Sequence, residues 1–247
     1  MSYLINMLPH QIEKAVHEQW PAIIVAGSVE FHGNHLPVGT DLILPEEIIK
    51  RVEPHVNIVV CPPIVYSPTG YAVSGPKEGT LDVRVNAFKE YLKDILLGLY
   101  RMGFKLIIVI QHHQGTEGPG AMAFKMAAAE IYNEEKEMYG EGWWTKNYRE
   151  PQFPKLLNVK VLGLSIKGYP WPGSHGALGE TEPMLVLRPD TVEMERLKRD
   201  DFPWNWDPEN EADQASFNHG EGIVESIVQD WIQFFEGHYQ EVCRNLY

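Results

Sequence analysis

Glu30 and His32 stand two residues apart in the run Glu30-Phe31-His32-Gly33-Asn34-His35-Leu36-Pro37-Val38-Gly39-Thr40-Asp41. In an extended segment, positions i and i+2 project to the same side, so this carboxylate and imidazole can converge. Asp41 follows a Pro- and Gly-containing loop that can fold it back on the pair. A carboxylate, imidazole, carboxylate set suits Zn²⁺ or Mn²⁺, which accept nitrogen and oxygen donors together. Two later stretches carry the same residue types: Gln111-His112-His113-Gln114-Gly115-Thr116, and the run from Gly168 through Trp171 and His175 to Gly179-Glu180-Thr181-Glu182. A single loop histidine or glutamate is usually solvated or satisfied by a neighbour, but three such clusters together point to a metal centre. By residue chemistry alone, His35 and His112 are as eligible as the residues beside them.

The elements that must bring these segments together alternate between helix and strand. Helical patterns cover residues 9–20, 44–52, 85–102, 118–133, 180–187 and 222–239, with Gly103 just past the end of the third. Apolar, strand-like runs cover residues 22–26, 56–61, 105–111 and 159–165. Such alternation predicts an α/β fold with a mostly parallel sheet covered by helices on both faces. All three clusters follow strands, where open α/β sheets place their sites. Residues 66–80, rich in Gly, Pro and Ser, and residues 198–220, dense in Asp, Glu, Asn and Trp, fit neither period. Loops of that length in a compact domain are usually functional or mobile, and the first offers Tyr71 and Ser74 as hydrogen-bonding groups of a pocket wall. Trp143 and Trp144 suit a core, an interface or a lid equally.

Composition bounds the partners. The 247 residues carry 21 Lys plus Arg against 34 Asp plus Glu, a formal net charge of −13, which opposes binding to nucleic acid. Hydrophobic residues at 44% and charged residues at 22% are ordinary globular values, and one domain over residues 1–247 is expected. No apolar run approaches the roughly 20 residues needed to span a bilayer, so no membrane is expected as partner. The N-terminus lacks the basic and long apolar regions of a signal peptide, which predicts a cytoplasmic protein. Cys61 and Cys243 have no CxxC spacing and read as free thiols of a reducing compartment.

The string Glu-x-His…His-Leu-Pro-x-Gly-Thr-Asp, a histidine at the end of a later strand, and then His175 followed by Glu180-Thr181 resemble the creatininase (creatinine amidohydrolase) family over most of residues 5–190. The resemblance implies a three-layer α/β/α sandwich with two divalent metal ions, zinc or manganese. It also implies a homo-oligomer, a hexamer, acting on a small-molecule substrate. It assigns Glu30, His32, Asp41 and His113 as metal ligands, with Asp41 bridging. Glu180 is assigned as the fifth ligand, because Gly115 occupies the position of the family's alternative acid. His175 matches a catalytic histidine outside the ligand set, and Trp171 a tryptophan that closes over substrate. The chain departs from the family at three places. Its usual Gly-His-Gly-Gly-Asn reads His112-His113-Gln114-Gly115-Thr116, its usual Gln between Glu and His is Phe31, and its usual Ser after Glu-Thr is Glu182.

What the resemblance implies is hydrolysis of a small polar cyclic substrate, such as a cyclic amide, a lactone or an oxidised cyclitol of the dehydro-inosose type. The nucleophile would be a hydroxide bridging the two ions, with His175 as general acid. The additional His112, Gln114 and Glu182 favour a polyol-like substrate over creatinine. Two other functions use the same residues: a metal-dependent ketose isomerase or epimerase working through an enediolate, and a metal- or ligand-binding protein without catalysis.

Overall fold

Alternation along the central strands sorts their apolar side chains onto two faces. In the computed structural model, which describes residues 2–70, 75–139, 157–167, 175–197 and 211–238, strands β1 (Ala22–Ala26), β2 (Val59–Val60), β3 (Leu106–Gln111) and β4 (Asn158–Gly163) form one sheet. The strand order is β2-β1-β3-β4 and every pairing is parallel. Ile23 and Val25 of β1, with Ile108 and Ile110 of β3, face one cluster; Ile24 of β1, with Ile107 and Val109 of β3, face the other. Side chains buried on both faces are what a parallel sheet requires.

Helices complete the two outer layers. On the first face pack α2 (Thr40–Val52), α5 (Leu178–Leu187) and α6 (Phe217–Gln233), through Leu44, Ile48, Met184, Ile223, Val224 and Trp231. On the second pack α1 (Pro9–His17), α3 (Val85–Met102) and α4 (Pro119–Tyr139), through Ala15, Phe88, Leu92, Leu96, Phe124 and Ala127. The result is the expected three-layer α/β/α arrangement. Among the described residues, no helix is long and apolar enough to cross a membrane.

The connections locate a crevice. The chain leaves β1 for α2 on the first face and leaves β3 for α4 on the second, while β1 and β3 are neighbours in register from Ala22↔Ile107 to Ala26↔Gln111. At such a point the loops diverge, and the gap beyond the carboxyl ends of the strands is where α/β sheets bind ligands. The loops carrying Glu30, His32 and His113 begin there.

Several boundaries differ from the sequence reading. Helix α2 begins at Thr40, four residues before the expected start, so Asp41 lies in a helical first turn and not at the end of a loop. Pro45 is an interior residue of α2. Strand β2 covers two residues instead of the expected 56–61: Val56 closes the 3₁₀ turn Glu53–His55, its N–H bonding the Glu53 carbonyl, while at the other end Cys61 N–H still bonds the Ile23 carbonyl at 2.8 Å. Helix α6 starts at Phe217, where the Ser216 side chain accepts the His219 N–H, despite Gly220 and Gly222, which weaken a helical pattern. It continues into a π-helical turn, Phe234–His238. Tyr71, Ser74, Trp143, Trp144, Trp171 and Cys243 lie outside the described residues.

Gly27 allows α2 to start against the end of β1. A Cβ there would sit 2.8 Å from the Asp41 carbonyl carbon and oxygen and from the Leu42 nitrogen, backbone atoms that cannot swing away. Gly27→Ala is therefore expected to lower stability by about 1–3 kcal/mol, the usual cost of overpacking, seen as a reduced Tm. An unchanged Tm would show that this contact is not tight.

Candidate functional site

Two helix N-termini aim at the crevice. Asp41 is in the first turn of α2 and Glu180 in the first turn of α5, where unpaired N–H groups and the helix dipole favour a negative side chain. Glu30 comes from the loop after β1, which is folded by the Glu30 N–H bond to the Val38 carbonyl at 2.9 Å and by a bridge between Val29 and Leu81. All three carboxylates are buried.

The imidazoles converge on them from the loops after β1 and β3 and from the segment that leads into α5. His32 donates from Nδ1 to the Glu30 carbonyl at 2.9 Å, which turns Nε2 toward Asp41 Oδ1 at 3.2 Å and Glu180 Oε1 at 3.8 Å. His113 Nδ1 lies 2.9 Å from Asp41 Oδ2 and 3.2 Å from Glu30 Oε1. His112 Nε2 lies 3.3 Å from Glu180 Oε1. His175 Nδ1 lies 3.3 Å from Glu30 Oε1, its Nε2 bonds the Phe31 carbonyl, and its ring stacks obliquely on His32 with centroids 4.1 Å apart. Gly176, at φ 69°, brings its backbone against the His32 carbonyl and donates its N–H to Glu180 Oε2 at 2.6 Å. That close approach, with positive φ, suits glycine alone.

Three groups of donor atoms lie within 4.8 Å of one another: Glu30, Asp41 and His113; His32, Asp41 and Glu180; and Glu30, His32 and His175. The first two share Asp41. Every ion-pair partner of these three carboxylates among the described residues is a histidine. A buried carboxylate is tolerated only when its charge is compensated. With the imidazoles neutral, as metal ligation requires, three buried negative charges await compensation, a role suited to divalent cations. Glu30 Oε2 and His113 Nε2 are buried without a hydrogen-bond partner. The mixed nitrogen and oxygen donor set suits zinc or manganese.

Other sequence candidates go elsewhere. His35 is buried but its Nε2 meets Thr181 Oγ1 at 2.9 Å, tying the β1 loop to α5. Glu182 does not face the crevice: residues two apart on a helix point in different directions. Its carboxylate accepts the Ser216 N–H at 3.0 Å and pairs with His219 Nδ1 at 2.7 Å, joining α5 to the start of α6. Gln114 donates to the Thr69 carbonyl at 2.8 Å. The contacts made by Thr181, Gly176 and Gly27 have no signal in the sequence, since nothing in residue type alone reveals a contact between distant segments.

In the chain without a bound cation, protons balance the carboxylates. Burial alone would lower the His32 pKa, but Asp41 and Glu180 outweigh it and raise the value from 6.5 to about 10. Burial is likewise overcome at His113, which Asp41 and Glu30 raise to about 10. Burial would raise Glu180, yet His32 and His112 hold it down to about 2; Asp41 is held well below its ordinary value by His32 and His113. Groups raised on folding stabilise below their unfolded pKa and lose that contribution as pH rises through the folded one; depressed carboxyls lose theirs as pH falls. The Tm of chelator-treated protein is therefore expected to decline from pH 6.5 toward about 10, and saturating zinc to flatten the decline. A Tm independent of pH over that range in the chelated protein would contradict the pairing.

A family model described as "Creatininase: Creatinine amidohydrolase" matches residues 6–235. A creatinine amidohydrolase of Pseudomonas putida is 23% identical over 181 residues, covering 71% of this chain and 67% of that enzyme. A 3-dehydro-scyllo-inosose hydrolase of Thermotoga maritima is 31% identical over 111 residues, covering 45% of this chain and only 35% of that protein. A Zn–Zn type creatininase carrying a glutamate-to-glutamine substitution superposes with a TM-score of 0.72 at 22% identity, over 94% of this chain and 97% of that one. A manganese creatininase gives a TM-score of 0.69 at 23% identity, with the same coverage of 94% and 97%.

Proposed function

Because the chain belongs to the creatininase family, we propose that it is a two-metal hydrolase that opens a small polar ring, such as a cyclic amide, a lactone or an oxidised cyclitol. The observation that carries this reading is the pair of donor groups sharing Asp41. Glu30, Asp41 and His113 would hold one divalent cation, zinc or manganese, and His32, Asp41 and Glu180 the other. Bound there, the cations would supply Lewis acidity toward a carbonyl and lower the pKa of water to roughly 7, so that water attack proceeds at neutral pH.

The protein's own residues do the rest. Asp41 places one carboxylate oxygen toward each group, Oδ1 near His32 and Oδ2 near His113. His175 is held by the Phe31 carbonyl at Nε2, with Nδ1 beside Glu30, and carries the proton passed to the leaving group: the nitrogen of an amide, the oxygen of a lactone, or the enolate carbon released when a C–C bond of a cyclitol ring breaks. The buried, histidine-paired surroundings limit water access around the carboxylates. The 3-dehydro-scyllo-inosose hydrolase among the relatives supports the cyclitol end of this substrate range; Gln114, bonded to the Thr69 carbonyl, and Glu182, turned to α6, lend it no support.

Elemental analysis of purified protein, together with a panel of lactones, cyclic ketones, cyclic amides and formamides, tests the reading. Two zinc or manganese ions per chain and turnover that incorporates ¹⁸O from labelled water are expected. Turnover without incorporation would indicate isomerisation and overturn it.

Two substitutions separate the roles. Asp41→Asn removes the charge common to both donor groups and is expected to release at least one ion, with activity lost in step; two retained ions and unaltered activity would exclude bridging. His175→Ala should keep both ions while kcat drops by about 10² to 10⁴, the range for loss of a general acid. Release of an ion from that variant would make His175 a ligand.

A further inference from the structure

His112 lies at the centre but in none of the three donor groups formed among the described residues. Its side chain is 8% exposed, and Nε2 is 3.3 Å from Glu180 Oε1. The same oxygen faces His32 Nε2 at 3.8 Å, whereas the other oxygen of Glu180 accepts the Gly176 N–H at 2.6 Å. Glu180 is thus anchored by backbone on one side and met by two imidazoles on the other, one from the β1 loop and one from the end of β3. His113 goes the opposite way, to Asp41 and Glu30. The consecutive histidines after β3 therefore reach both halves of the centre: His113 brings a donor to one, and His112 touches the carboxylate of the other.

We propose that His112 is a positioning residue for Glu180, holding Oε1 toward His32 and so setting the affinity of the His32/Asp41/Glu180 half for its divalent cation. Donor atoms around one ion must lie close to one another, and His112 fails that condition with His32 and Asp41, so it acts through Glu180. A glycine, the residue of the related motif at this position, has no side chain with which to do this. The proposal rests on the two-cation reading above.

The experiment titrates chelator-stripped full-length chain with Zn²⁺ and, separately, Mn²⁺, in the presence of a competing chelator. It compares wild type, His112→Ala and His112→Gln, whose amide keeps a donor of similar reach. Thermal melts of the stripped proteins report folding. In wild type, two ions bind. In His112→Ala, one ion is expected to weaken by about 10- to 100-fold, the usual effect of removing the partner of a ligating group, while the other keeps its affinity. His112→Gln should recover most of the loss. Two wild-type affinities in His112→Ala would overturn the inference and leave the two-cation reading standing. Equal weakening of both ions with a lower Tm of the stripped protein would mark a merely structural residue and also overturn it. Fewer than two ions in wild type would overturn the reading and the inference together.

Discussion

Burial of three carboxylates whose ion-pair partners among the described residues are all histidines is the constraint on which the rest of this structure depends. Glu30, Asp41 and Glu180 are 2%, 2% and 7% exposed, and isolated charges at that depth would shift pKa or unfold the protein. Compensation has to come from imidazolium protons or from cations. Lysine or arginine would settle the balance permanently. Histidine leaves it adjustable, because a neutral imidazole is a ligand and a protonated one is a counter-ion.

The scaffold is arranged to hold these charges at the junction of β1 and β3. Helices α2 and α5 begin at the crevice and present their positive ends to Asp41 and Glu180. Each contains an interior proline, Pro45 or Pro183, close behind its acidic residue. Pro45 removes the N–H that would bond the Asp41 carbonyl, so the helix yields hydrogen bonding within its opening turns. The packing of Gly27 against that same turn and the Gly176 N–H on Glu180 hold the acids in place. Glu182, inaccessible to the crevice, joins α5 to α6 through Ser216 and His219. The first layer of helices is thereby tied to the site, with Trp231 fully buried in its core and donating to the Leu164 carbonyl at 2.8 Å.

The second face contributes rigidity. Helices α3 and α4 pack through Phe88 and Phe124, whose rings meet edge to face at 5.8 Å. Their exposed edges are laced by Lys89 to Glu130 and by Lys93 to Glu130 and Glu134. Exposed pairs of this kind contribute little individually. What fixes the strands that carry His113 is the apolar layer beneath.

Much of this was legible in the residues themselves. Period-2 apolar runs and helical spacing identify the α/β/α layers, because the pleat and the helix turn impose those periods locally. The Glu30/His32 spacing and the string ending in Asp41 mark the donor set for a related reason: the residues belong to one short segment whose local geometry limits where they can point. Contacts between segments are another matter. That His35 turns to Thr181, that Glu182 serves α6 rather than a substrate, that α2 opens at Thr40 with Pro45 inside it, and that His112 meets Glu180 while His113 meets Asp41 all depend on how helices dock against the sheet. Residue type and spacing determined which groups were available and that a sheet edge would gather them; only the tertiary packing decided which imidazole faces which carboxylate, since that choice is made by backbone approach between residues far apart in the chain.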